Sequence, residues 1–302
     1  MTRRGEGRNA VWPFLSYGMM LLVAGCNQTA TKPDPHYVLG KPYQTGSMWH
    51  YPKESFDLDE TGLAAVSRDR STRLTTNGEV LDQTALAAAH PSLQLPAIAR
   101  LTNLENGLET TVRINDRGTG DPHRLVEITR RTAQLLGIQP DGVARVRLRV
   151  LAAESHAAAE ALPGAPALAL ATAPRGAVET AELPPPPGVR QGSGHGVSAS
   201  ATQAPDTAPS AAPPLWLPEA VTQTPARPGR LVVQLDTFDE YHYAAAQQAK
   251  MAGTGATIVT TGQGRTRQYR VEIGPLPDVA RADAILDQAL SSGIPDARIV
   301  VD

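Results

Sequence analysis

The chain has 302 residues and a formal net charge of −2, which argues for about two domains and removes the electrostatic case for a nucleic-acid partner. Aromatic residues make up 4% while 26 prolines and 26 glycines crowd particular stretches, so the composition excludes one large enzyme core and fits small folded units joined by a spacer. The single cysteine, Cys26, excludes an internal disulfide, and the seven histidines are dispersed without metal-ligand spacing, so neither a metal nor a cofactor is expected.

Residues 1–25 read as a leader. Arg3, Arg4 and Arg8 precede a largely apolar stretch over 10–23, and the segment closes Leu22-Val23-Ala24-Gly25-Cys26. A charged start, a short apolar centre and small residues at the end form a secretory signal, too short for a comfortable membrane span. The small-small-Cys ending resembles a bacterial lipobox, in which Cys26 becomes the lipid-modified N-terminus. Several acyl chains give stable anchoring where one does not. By the same resemblance, Asn27 after the Cys implies the outer membrane.

Residues 26–36, with Pro33 and Pro35, read as a tether, and residues 37–152 as the first folded unit. Over 62–151 the pattern is mainly strands with one helix. Segments 97–102 and 109–115 flank Asn106-Gly107, a strong hairpin-turn dipeptide. A helix starts near Thr129, carries Ala133, Leu135 and Leu136, and stops at Gly137. The strand over 143–150 alternates apolar residues with Arg145, Arg147 and Arg149, so one face enters a core and the arginine row reads as a solvated face.

Three titratable residues of this unit stand near turns. Asp116 ends an alternating strand that runs into the Asn115-Asp116-Arg117-Gly118 turn, Glu79 follows Asn77-Gly78, and His90 precedes Pro91. Asp116 shares strand parity with Val112 and Ile114, so a strand persisting that far points it toward the apolar face, where desolvation disfavours the anion. Arg113 and Arg117 oppose that shift if they face the same side. An Asp-Arg-Gly turn is also an ordinary structural device, because Asp bonds its own backbone there.

Residues 153–228 change character: Ala, Pro, Ser, Thr and Gly dominate, with Pro184-Pro185-Pro186-Pro187 in the middle and the apolar island Leu215-Trp216-Leu217 near the end. Such a segment buries too little apolar surface to offset its ordering entropy, so it reads as a disordered linker. Its average span is about 45–50 Å. Residues 229–302 read as βαββαβ: strands over 231–235, 256–260, 269–273 and 297–301, with helices over 240–251 and after Pro277-Asp278. Gln234 and Arg270 occupy matching positions in its two half-repeats.

Taken together, these features resemble the rare lipoprotein A (RlpA) family. The resemblance runs through Leu39-Gly40-Lys41-Pro42-Tyr43, Tyr51-Pro52-Lys53-Glu54, Thr76-Asn77-Gly78-Glu79, Ala88-Ala89-His90-Pro91 and Thr102-Asn103-Leu104-Glu105-Asn106-Gly107, and it closes at Asn115-Asp116-Arg117-Gly118. In the tail, Val233-Gln234 and Tyr269-Arg270-Val271-Glu272-Ile273 look like strands of a SPOR domain. Departures stand at Ala65-Val66-Ser67-Arg68, where the family carries Ser-Trp-Tyr-Gly, at Asp69-Arg70-Ser71-Thr72-Arg73, where it carries a Gly-rich, His-bearing loop, at Thr76 for Ala, and at Val126-Glu127-Ile128-Thr129 for an Ile-Asp-Leu-Ser type run.

The resemblance implies a six-stranded double-psi β-barrel plus a ferredoxin-like SPOR domain, in an outer-membrane lipoprotein of the septal ring. It implies a lytic transglycosylase that cleaves MurNAc–GlcNAc bonds of denuded peptidoglycan with 1,6-anhydro ring formation and needs no cofactor. Asp116 is then the acid/base, His90 its orienting or donating partner, Glu79 a sugar ligand or the holder of its turn, and Gln234 and Arg270 glycan contacts of the tail. The competing expectation is a catalytically silent glycan-binding lipoprotein that positions division-site proteins.

Overall fold

The computed structural model describes residues 1–2, 32–46, 48–166 and 215–302. Cys26, the leader and most of the expected linker lie outside the described residues. The described residues from Pro33 to Asp302 form one compact unit, to which everything below refers.

Strands β1 (Tyr43–Thr45) and β2 (Met48–His50) form an antiparallel hairpin with Tyr43 opposite His50, their rings stacked 4.9 Å apart. The barrel follows: β3 (Asp59–Val66), β4 (Ala87–Ala89), β5 (Ala97–Asn103), β6 (Leu108–Asp116), β7 (Val126–Ile128), helix α1 (Arg130–Leu135) and β8 (Val143–Val150). Six strands pair in the order β4-β7-β3-β8-β5-β6, and β6 returns to β4, closing the ring. The β3–β7 and β4–β6 pairs are parallel and the others antiparallel. This is the closed six-stranded barrel that the resemblance implied.

Alternation explains the strands. In β5 and β8 every second residue enters the core, so Ala97, Ala99, Leu101, Val146 and Leu148 are fully buried while Arg147 and Arg149 are exposed. Leu93, Leu95, Val112, Ile114, Ile128 and Leu136 complete the core. The β5–β6 turn uses Gly107 at φ 76, where a Cβ would lie 1.9 Å from the Thr224 carbonyl oxygen, so only glycine fits. Thr129 caps α1, its side chain accepting from the Thr132 amide.

The expected edges of the flexible segments need correction. Within the expected tether, the Asp34 amide donates to the Gly78 carbonyl and the His36 amide to the Asn77 carbonyl, so this stretch is strapped across a barrel turn. At the start of the expected linker, Ala152–Glu160 forms helix α2 against β5, beginning on the last residue of the expected folded unit, and the Ser155 hydroxyl both accepts from the Ile98 amide and donates to the Ile98 carbonyl, each at 2.9 Å. Alanine suits both a spacer and a helix, and the small Ala158 and Ala159 let α2 pack closely. At the far end Val221–Gln223 forms β9, which adds to the edge of β6.

The tail contains β10 (Leu231–Phe238), α3 (Tyr241–Lys250), β11 (Ala256–Thr261), β12 (Gln268–Leu276), α4 (Val279–Ser291) and β13 (Arg298–Val301). Its sheet is antiparallel, in the order β11-β12-β10-β13, with Ala244 of α3 and Ile285 and Leu286 of α4 in its core. The sequence suggested two units ranging at the ends of a spacer; in the structure they share a face. Leu63 of β3 is fully buried among the tail's apolar residues, the Thr61 hydroxyl donates to the Val301 carbonyl at 2.6 Å, and Arg298 pairs with Glu60.

Candidate functional site

A cleft of about 720 Å³ opens beside the end of β6. Its walls come from the end of β3 (Ala65, Val66), the loop through Arg68, Asp69 and Arg73, strand β4, and Asp116 and Gly118. Glu127, Arg124 and Asp141 lie further round. The small side chains of Ala65, Val66 and Ser67 leave this wall without an aromatic face.

Asp116 is the last residue of β6 and its side chain is 7% exposed. Oδ2 accepts from Arg73 Nη2 at 2.6 Å, while Oδ1 accepts from the Thr76 amide at 2.9 Å and the Thr76 hydroxyl at 2.7 Å. Burial pushes this carboxyl up, but the Arg73 guanidinium and the two Thr76 donors outweigh it, and its pKa lies below the usual carboxylate value. Gly118, at φ 68, allows the turn: a Cβ there would sit 2.6 Å from Glu127 Oε2. Glu127 in turn accepts from the Thr119 amide at 3.0 Å, pinning the loop that leaves Asp116.

The three residues named from sequence do not converge. Only Asp116 lines the cleft. Glu79 is buried behind the turn, where Oε1 accepts from Arg113 Nε and Nη2 at 2.9 and 2.7 Å and from Asn77 Nδ2 at 2.7 Å, and Oε2 accepts from Asn115 Nδ2 at 2.8 Å. Its two carboxylate oxygens are thereby committed to holding the Asn-Gly turn. The His90 ring is buried, and Nδ1 accepts from the Ser92 and Leu93 amides at 3.2 Å each. Burial, then the nearby Arg117 and His50, push its pKa down to about 3, so it is a neutral loop-holding group. It meets Asp116 through backbone alone, its amide donating to the Asp116 carbonyl at 3.0 Å.

Two residues that matter were not picked out as site residues. Arg73 reaches Asp116 across 43 positions, and its only signal was the departure of the loop 69–73 from the family pattern. Thr76 was visible only as Thr in place of Ala, the change that adds a hydroxyl donor to Asp116. In the tail, Gln234 and Arg270 are partly buried, the first bonded to Thr237 at 3.2 Å and the second to Glu272 at 3.0 Å.

Comparison with known proteins follows this geometry. A family model described as lytic transglycolase matches residues 59–148. The endolytic peptidoglycan transglycosylase RlpA of Rickettsia bellii is 29% identical over 137 residues, 42% of this chain and 60% of that protein. Its namesake in Escherichia coli strain K12 is 36% identical over 138 residues, 45% of this chain and 36% of that protein. The Helicobacter pylori strain 26695 protein of that name is 36% identical over 114 residues, covering 37% and 36%. The match to these three relatives thus spans from about one third to three fifths of their length.

Proposed function

Through its barrel the chain belongs to the RlpA family, and from that premise we propose that it is a peptidoglycan lytic transglycosylase, a lyase acting on glycan strands stripped of stem peptides. The observation that carries this reading is the placement of Asp116: a carboxyl at a barrel strand end, shielded from water, at the wall of a cleft large enough for sugar rings.

A glycosidase that uses water generally needs two carboxylates. In a lytic transglycosylase the substrate supplies the nucleophile, so one group suffices. Asp116, carrying a proton, gives it to the glycosidic oxygen as the C1–O bond breaks. The muramyl C6 hydroxyl attacks C1, and its proton returns to Asp116 as the 1,6-anhydro ring closes. Thr76 positions the carboxyl through two donors on one oxygen. Glu79 and His90 act at one remove, by fixing the turns on either side.

The rest of the chain fits a wall-remodelling lipoprotein that separates daughter cells. In this reading Cys26 carries the lipid anchor, the outer membrane holds the protein on its periplasmic face, and the tail is a SPOR domain that brings it to septal glycan, with Gln234 and Arg270 as contacts. A second reading has one specific observation in its favour: the acid is ion-paired and the cleft wall lacks an aromatic face, as suits a silent glycan-binding protein. Purified protein on amidase-treated sacculi, read by mass spectrometry, separates the two. Anhydromuramyl ends that vanish in Asp116→Asn support the enzyme; glycan pull-down without such ends supports the silent binder.

A further inference from the structure

Stripped and peptide-bearing strands differ at one group per muramic acid. The lactyl side chain ends in a carboxylate in the first and in an amide in the second. We propose that Arg73 reads this difference, its guanidinium exchanging the Asp116 carboxylate for the lactyl carboxylate of a bound muramic acid. The inference rests on the peptidoglycan reading above and deepens it by naming the residue that selects the stripped strand.

Three arginines line the cleft, Arg68, Arg73 and Arg124. Arg124 is gripped by both oxygens of Asp283 at 2.8 and 3.0 Å, with 13% of its side chain exposed. Arg68 stands at the rim, 3.7 Å from Asp141, with both side chains 81% exposed, where water and salt screen it. Arg73 differs from both. It is 41% exposed, adjoins the proposed acid, and its remaining nitrogens are anchored, Nε on Asp69 at 2.7 Å and Nη1 on the Leu74 carbonyl at 3.0 Å. Giving up Asp116 therefore leaves the guanidinium in place with Nη2 free. Arginine and carboxylate are matched in shape and charge, so an incoming anion can replace the outgoing one.

The exchange also resolves a chemical difficulty. In the free protein Asp116 is held as the anion, which cannot donate a proton. Once Nη2 is taken by the lactyl carboxylate, Asp116 keeps its burial and its Thr76 donors but loses the Arg73 hydrogen bond, and the substrate anion neutralises the charge that Arg73 presents to it. The charged and titratable groups that remain around it are Arg117, whose guanidinium donates to the carbonyls of Leu39, His90 and Leu93, and the Tyr43 phenol. A carboxyl so placed takes up a proton from water as the strand binds, passes it to the leaving oxygen, recovers one from the C6 hydroxyl and returns it to water when Arg73 pairs with it again after product leaves, so no proton is gained or lost over a turnover.

The test is calorimetric titration of the full chain with soluble GlcNAc–MurNAc oligosaccharides carrying either the free lactyl acid or its primary amide. The wild type is expected to bind the acid about tenfold more tightly, and Arg73→Gln to bind the two alike. Arg73→Lys, which keeps the charge, is expected to retain part of the preference, and thermal melts check that both variants fold. A preference that survives in Arg73→Gln, or is missing in the wild type, overturns the role of Arg73 even if anhydromuramyl product forms. Binding of neither sugar to the wild type overturns the peptidoglycan reading itself.

Discussion

Arg113 and Glu79 form an ion pair inside the barrel wall, 2.7 Å apart with 2% and 9% of their side chains exposed. One guanidinium nitrogen, Nη1, lacks a protein partner, so Glu79 carries most of the compensation for this buried charge. Removing one partner of such a pair costs about 3–5 kcal/mol, because the other charge is stranded. Glu79→Ala is therefore expected to lower stability by that amount in urea titration. A variant that kept full stability yet bound glycan weakly would instead place Glu79 in direct contact with sugar.

His90 sets a pH dependence. Its folded pKa is depressed to about 3, below the usual histidine value, so the unfolded chain binds more protons over the interval between them. The contribution is fully present above about pH 6.5 and is lost as pH falls toward 3, at up to about 1.4 kcal/mol per pH unit. Urea titrations at a series of pH values should show this slope, and His90→Gln should flatten it.

Thr76→Ala removes the hydroxyl that donates to Asp116 while leaving the backbone amide. That hydroxyl favours the anion, so its loss is expected to raise the Asp116 pKa, which a carbon-13 NMR titration of the carboxyl measures directly. Because a depressed carboxyl stabilises the fold above its unfolded pKa and loses that contribution as pH falls through its folded one, the variant should also give up about 1 kcal/mol at neutral pH. The alkaline limb of any activity profile, where Asp116 loses the proton it must donate, should move to higher pH in the same variant.

The face shared by barrel and tail includes Leu63, fully buried among the tail's apolar residues, and the Arg124–Asp283 pair. Leu63→Asp puts an unpaired charge into that contact. The expected result is a larger radius of gyration in small-angle scattering, with barrel and tail each still folded by circular dichroism. An unchanged scattering profile would show that the contact does not depend on this side chain.

Strand alternation, the Asn106-Gly107 turn and the Thr129 cap made the barrel and the βαββαβ tail legible, because each is a local signal. Asp116 was legible too, as the end of the β6 pattern. What escaped depended on distant partners. Arg73 is one arginine in a polar loop until folding brings it to Asp116. Strand β9 has three exposed residues and exists only as an addition to β6. Helix α2 was hidden by alanine, whose composition suits a spacer as well as a helix. For His90 and Glu79 the residue types left a site role and a turn-holding role both open, and their packing, buried and outside the cleft lining, is what shows the turn-holding contacts.

The strap formed by Asp34 and His36 gives the molecule a defined load path. Tension on the chain ahead of residue 34 falls first on two backbone hydrogen bonds to the Asn77-Gly78 turn, before any barrel strand is pulled. The next residue back is Thr76, whose amide and hydroxyl clasp Asp116. A tug on the N-terminal segment is thus felt at the carboxyl through one short turn, which makes that turn the mechanical link between the chain's leading segment and its cleft.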